Sequence, residues 1–146
     1  KKKMIKILFV CTGNTCRSPM AEYILKDLLK KTQTEGVKVS SAGIAVGADD
    51  SINEKAKAAL KKHDIVVRRF KPKQATAELC RKQSAVICMT AAHKLRFVGF
   101  DNVYTLGELT GCGDVSDPYG LDQTAYDDCA IALFAACEKL FALLKK

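Results

Sequence analysis

Apolar and polar positions along these 146 residues fall into short blocks whose period changes from one block to the next. "KILFV" is an apolar run of β-branched and aromatic residues, too short for a helix, and predicts a first strand. "SPMAEYILKDLLKK" follows with Met20, Ile24 and Leu28 beside Ala21, Leu25 and Leu29, the three-to-four spacing of an amphipathic helix. Ser18 reads as its N-cap, Pro19 as its first helical position and Glu22 as a residue near the first turn. "VKVSSAG" alternates as a second strand, and "INEKAKAALKKH" predicts a helix capped by Asn53. "TAELCRKQ" predicts a shorter helix, "AVICMT" a buried third strand, "AAHKLRFVGF" a helix and "NVYTL" a fourth strand. "GCGDVSDPYGLDQ" is a turn-rich loop, and the C-terminal stretch from Thr124 is a long helix with Cys129, Leu133, Cys137, Leu140 and Leu144 on one stripe.

Strands that alternate with helices over short connections predict an α/β fold, a single-domain, doubly wound four-stranded parallel sheet with helices on both faces. Ligands of such sheets bind beyond the carboxyl ends of strands, where loops meet helix N-termini. The turn after the first strand is such a place.

Composition narrows this picture modestly. No apolar run approaches the ~18 residues of a membrane span, so no membrane association is expected. "KKKMIKILFV" begins like a signal peptide, but its short apolar part runs on into "CTGNTCRSP" rather than a small-residue cleavage site. It is read as the first strand of a cytoplasmic protein, with Lys1, Lys2 and Lys3 standing ahead of Met4 as residues added before a native start would. The formal charge of +8 comes from scattered basic residues, which suits solubility or a phosphorylated partner; no nucleic-acid partner is assigned and the chain is expected to be a monomer. Seven cysteines without framework spacing point to free thiols in a reducing compartment. His63 and His93 are isolated, so Cys11 and Cys16 lack the second ligand pair that zinc requires, and no metal is expected.

The chemistry concentrates in "FVCTGNTCRSPMAE". Gly13 and Asn14 tolerate unusual backbone angles, so the turn can curl with its N–H groups inward and end on a helix N-terminus, an anion cradle. Thr12, Thr15 and Cys16 complete the curl. Arg17 at its rim can hold two phosphate oxygens with its planar fork. Cys11 lies at the base, where the same N–H groups, dipole and guanidinium favour the thiolate, and Ser18 can donate to that sulfur. A nucleophile at the centre of an anion cradle attacks phosphorus. Expelling an alcohol or amine then needs a general acid, for which Asp117 in "SDPYG" is the candidate, with Pro118 stiffening its loop and Tyr119 walling the pocket; Asp114 is the local rival.

"VCTGNTCRSPMAE" near the N-terminus together with "DPYG" near residue 120 resembles the low-molecular-weight protein tyrosine phosphatase family, in length and in strand–helix order as well. The resemblance implies Cys11 as nucleophile, Arg17 as phosphate clamp, Asn14 as loop holder, Ser18 as partner of the thiolate, Asp117 as acid and then base, and Ser41 as loop support. It also implies a phosphoprotein substrate, no cofactor and no metal, and a Cys16 able to form a reversible disulfide with Cys11. Two features depart from the phosphotyrosine-directed pattern: Thr15 stands where a bulky aliphatic residue is usual, and "IAVGADDS" has no aromatic residue; separately, Arg69 stands roughly where members of the family often have a supporting histidine. Thr15, "MTAAHK" and "TGCGDVSDPYG" resemble instead the protein arginine phosphatase branch, in which a hydroxyl can meet the guanidinium of phosphoarginine. Arsenate reduction relayed through Cys80 and Cys88 is an alternative, and a non-catalytic phosphoprotein-binding module is another. Cys80, Cys112, Cys129 and Cys137 are expected to be structural or neutral.

Overall fold

The structure, a computed structural model, describes residues 3–145; Lys1 and Lys2 of the expected added start and the final Lys146 lie outside them. Four strands form one parallel sheet in the order β2-β1-β3-β4, with β1 spanning Ile5–Cys11, β2 Val37–Gly43, β3 Ala85–Cys88 and β4 Val103–Thr105. Ile7 and Phe9 of β1 face one side of the sheet and Leu8 and Val10 the other, and all four are at most 1% exposed. A strand apolar on both faces belongs at the centre of a parallel sheet covered twice, which is where β1 lies.

On the Ile7–Phe9 side pack α1 (Arg17–Lys31), α2 (Glu54–Lys61) and the long C-terminal α6 (Gln123–Leu144), around Met20, Leu25, Leu60, Tyr126 and Leu133. Cys129, Leu133, Cys137 and Leu140 of the expected stripe are buried there, and Leu144 packs at its edge. On the opposite side α3 (Ala77–Arg81) and a 3₁₀ turn, Leu95–Phe97, bring Cys80 and Phe97 onto Leu8, Val10, Val86 and Cys88. The doubly wound expectation holds, with helices on both faces. Asn53 caps α2 as expected, its side chain accepting from the Lys55 N–H at 2.8 Å.

Three local readings change. "AAHKLRFVGF" is helical only from Ala91 to Lys94 (α4) before it tightens into the 3₁₀ turn. A five-residue helix, α5 (Leu106–Thr110), follows β4 directly, capped by the Thr105 hydroxyl, which accepts from the Glu108 N–H. Its single turn is too short for a periodic signal, so "GELT" gave none. Finally, α1 starts at Arg17 with Cys16 ahead of it, so Ser18 is its second residue and not its N-cap, and Pro19 is its third residue and not its first. The chain moves to one side of β1 for β2 and to the other for β3, so the crevice beyond the β1 and β3 ends is a topological switch point.

Candidate active site

The turn between Cys11 and Arg17 is shaped from outside. The Cys11 carbonyl accepts from the Ile44 N–H at 3.0 Å, the Thr12 carbonyl from Ala45 at 2.9 Å and the Thr15 carbonyl from Asn53 at 2.9 Å. A trans peptide points its N–H away from its carbonyl, so the N–H groups of Thr12, Gly13 and Cys16 turn from these anchors into the concave side. The first N–H groups of α1 join them; no side chain caps that helix end, and helix geometry leaves them free for an anion.

The unusual backbone angle falls on Asn14, at φ 58°, and not on Gly13, contrary to the equal role expected of both. A Cβ on Gly13 would meet nothing nearer than the Thr15 hydroxyl at 3.7 Å. The glycine the turn requires is Gly43, where a Cβ would lie 2.6 Å from the Thr12 carbonyl oxygen and 2.9 Å from the Asn14 nitrogen.

Asn14 is fully buried and its amide orientation is dictated by its partners. Lys73 N–H, able only to donate, reaches Oδ1 at 3.0 Å, so the amide nitrogen faces Ser18 Oγ at 2.8 Å and Ser41 Oγ at 2.9 Å. Each serine oxygen thus accepts from Asn14 and keeps its own proton to donate. Ser41 spends it on the buried carboxylate of Glu22, at 2.6 Å. Ser18 stands 2.8 Å from Cys11 Sγ, with the Ala42 carbonyl a more distant acceptor at 3.4 Å. This explains why Ser18 is not a cap: its hydroxyl is turned to the sulfur.

Arg17 is 5% exposed. Its Nη1 donates to the Val115 carbonyl at 3.0 Å and its Nη2 lies 3.5 Å from Asp117 Oδ2. The Asp117 carboxylate also accepts from the Tyr119 N–H at 3.1 Å, which closes the Asp-Pro-Tyr turn. Cys11, Thr12, Gly13, Thr15, Cys16, Arg17, Asp117 and Tyr119 line a single cavity of about 280 Å³, joined by Asp50 from the β2–α2 loop. Asn14, Ser18 and Ser41 form the buried layer behind it. A larger cavity of about 340 Å³ lies behind the 112–118 loop against α6, but it contains neither Cys11 nor Arg17 and shares only Asp117 with the first. Asp114 faces that second cavity, and its carboxylate is used by the Ala91 N–H at the start of α4, at 3.1 Å.

Two residues escaped the sequence reading. Glu22 looked like a helix-end charge, although a carboxylate one turn apart from Ser18 on the core side of α1 was a legible hint. His93 looked isolated, yet it follows the third strand closely and is buried under the turn. Its Nε2 meets the Thr12 hydroxyl at 2.9 Å and its Nδ1 the Thr90 hydroxyl at 3.0 Å. Burial first, and then the nearby Arg17 charge, push His93 below the ordinary histidine range. Arg69 is exposed and contributes only its carbonyl, to the Tyr23 hydroxyl at 3.5 Å; it is Glu22 that completes the Ser41 side of the network.

Cys16 is buried, its thiol directed to the Tyr126 hydroxyl at 3.5 Å, and burial pushes it up from the ordinary range. All seven cysteines are free. Among the described residues no group of three or more His, Cys, Asp or Glu side chains could hold a metal ion, and no helix is long and apolar enough to cross a membrane.

A thiol beneath a bowl of inward N–H groups, with a guanidinium and a carboxylate at the rim of a parallel α/β sheet, defines the class of cysteine-based phosphate-handling folds. The chain belongs to the low molecular weight phosphotyrosine protein phosphatase family, whose model matches residues 6–146. It is 36% identical over 147 residues to a protein-arginine-phosphatase of Bacillus subtilis, covering 96% of this chain and 97% of that protein. It is 33% identical over 130 residues to the low molecular weight protein-tyrosine-phosphatase PtpB of Staphylococcus aureus, covering 84% and 86%. Among solved structures, a YwlE mutant from Bacillus subtilis superposes with a TM-score of 0.90 at 35% identity, covering 97% of this chain and 99% of that one. A YwlE arginine phosphatase mutant with a phosphorylated active site serine matches equally well, with a TM-score of 0.90, 35% identity and 97% of each chain covered.

Proposed function

We propose that the protein is a cysteine-dependent phosphatase that hydrolyses phosphorylated protein through a cysteinyl-phosphate intermediate on Cys11. The observation that carries this reading is the Cys11–Ser18 contact at 2.8 Å beneath the N–H bowl, with Arg17 and Asp117 together at its rim. The substrate phosphate lies in the bowl, its oxygens held by the N–H groups of the turn and by the Arg17 fork. The Cys11 thiolate attacks phosphorus while Asp117 passes a proton to the departing oxygen or nitrogen. Asp117, now a carboxylate, takes a proton from the water that attacks the cysteinyl phosphate. Phosphate leaves, and the sulfur regains its electron pair facing the Ser18 hydroxyl.

Similar proteins bear the name arginine phosphatase, and Thr15 on the pocket wall supports phosphoarginine as the substrate class. The test compares phosphoarginine and phosphotyrosine peptides as substrates of the parent and of Thr15→Ile. The exchange is expected to shift preference toward phosphotyrosine; an unchanged ratio would show that Thr15 does not select the substrate. The same reading takes the chain as one domain, a cytoplasmic monomer without cofactor, nucleic-acid partner or membrane association, and gives Cys16 the role of reversible disulfide partner to Cys11.

Arsenate reduction finds less support. Its relay needs a thiolate at Cys88, but that residue is 0% exposed in β3 and burial pushes its thiol up to about 12. A module that only binds phosphoprotein would need neither the thiol at the base of the bowl nor a carboxylate 3.5 Å from the clamp.

A further inference from the structure

We infer that Asp50 is a specificity-determining residue of this pocket, an anionic wall that pairs with a cationic group bonded to the phosphate of the substrate. The inference rests on the phosphatase reading above and names what that pocket selects. Asp50 lines the cavity together with Thr15 and Tyr119. Its place is fixed by a tight turn: Oδ2 accepts from the Gly47 N–H at 2.7 Å, and its own N–H donates to the Gly47 carbonyl at 3.2 Å. That turn needs a side-chain acceptor and not a charge, so an asparagine would serve it equally well.

The charge is what the turn leaves unexplained. A cavity organised around a phosphate dianion gains nothing from a fixed anion on its wall, since like charges at this range oppose substrate entry. Asp117 has a reason to be there, because the leaving group needs a proton. Asp50 has none unless the substrate brings positive charge next to the phosphorus. A phosphoguanidinium meets the requirement: its remaining planar N–H groups lie two bonds from the phosphoramidate nitrogen and find acceptors in the Asp50 carboxylate and the Thr15 hydroxyl. A phenyl ring offers neither charge nor donor, and residues 44–52 supply no aromatic side chain to stack on it.

Asp50→Asn keeps an acceptor for the Gly47 N–H and removes the charge. The measurement is kcat/KM for one peptide bearing phosphoarginine and for the same peptide bearing phosphotyrosine, in parent and variant. We expect the phosphoarginine value to fall about tenfold, mainly through KM, and the phosphotyrosine value to rise about twofold. Asp50→Lys should move both further in the same directions. A ratio unchanged within twofold in both variants would overturn the inference and leave the phosphatase reading standing. If the parent hydrolyses only phosphotyrosine, the inference falls together with the phosphoarginine assignment; if it hydrolyses neither peptide nor an aryl phosphate, the phosphatase reading itself falls.

Discussion

Cys11 Sγ and Ser18 Oγ lie 2.8 Å apart, and the direction of the hydrogen bond between them is set two residues away. Lys73 orients the Asn14 amide, the amide occupies the acceptor side of Ser18, and the serine proton is left for sulfur. A hydrogen bond to a charged group contributes about 1.5–3 kcal/mol, which is roughly a 10- to 150-fold effect. Ser18→Ala should therefore lower kcat by about one to two orders of magnitude with little change in KM. The intermediate should accumulate, because the thiolate becomes a poorer leaving group. A fall in KM-linked binding alone, with kcat preserved, would contradict this role.

Asp117 and Asp114 are three residues apart and should behave oppositely. Asp117→Ala removes the proposed proton donor and should slow turnover by ~10²–10⁴-fold with the fold intact. Asp114→Ala leaves the Ala91 N–H at the start of α4 without its acceptor and should cost about 1 kcal/mol of stability with modest loss of turnover. Steady-state kinetics alongside urea unfolding of the two variants separates them.

Glu22 gives the Ser41 proton its acceptor, and Ser41 in turn holds Asn14 in its left-handed conformation. Glu22→Leu leaves that buried hydroxyl unpaired, at about 1–3 kcal/mol, and should loosen the turn enough to weaken competitive inhibition by inorganic phosphate. Glu22→Gln retains an acceptor oxygen and should restore most of both. Equal damage from the two substitutions would show that Glu22 acts through its Lys26 ion pair instead.

His93 makes acid stability a readout of the same region. Its folded value is lowered, so between that value and the ordinary 6.5 the unfolded chain binds more protons than the folded one. Stability attributable to His93 is therefore fully present above pH 6.5 and is lost as pH falls below it, at no more than about 1.4 kcal/mol per pH unit. Arg17, Asp114 and Asp117 are the charged groups that act on it. Urea unfolding of parent and His93→Gln from pH 7.5 down to 5 should show the two curves converging as the pH drops; a constant gap would exclude the histidine.

The sheet was legible because each strand of this fold is a short apolar run and each main helix carries an apolar stripe, signals that survive without tertiary context. The turn was legible because its chemistry is local, with Cys11, Arg17 and Ser18 packed into eight residues. What the sequence hid is long-range. Glu22 touches Ser41 across 19 residues and His93 touches Thr12 across 81, and neither separation leaves a periodic or spacing signal. Ser18 misled for a related reason: a serine before a proline at a helix start satisfies the capping pattern, and only the sulfur nearby, placed by β1, claims its hydroxyl. Gly43 ends a strand pattern that any small residue would satisfy, and its necessity appears only when the turn's backbone lies against it.

The proposed reaction passes through a phosphate covalently held by Cys11. Rapid mixing of the enzyme with an aryl phosphate, quenched in acid within the first turnover and examined by peptide mass spectrometry, tests it most directly. About one equivalent of phenol per chain should be released ahead of the steady state, with one phosphate found on Cys11 and none in Cys11→Ala. Steady turnover with no burst, or a burst whose phosphate sits on another residue and survives in Cys11→Ala, would contradict it.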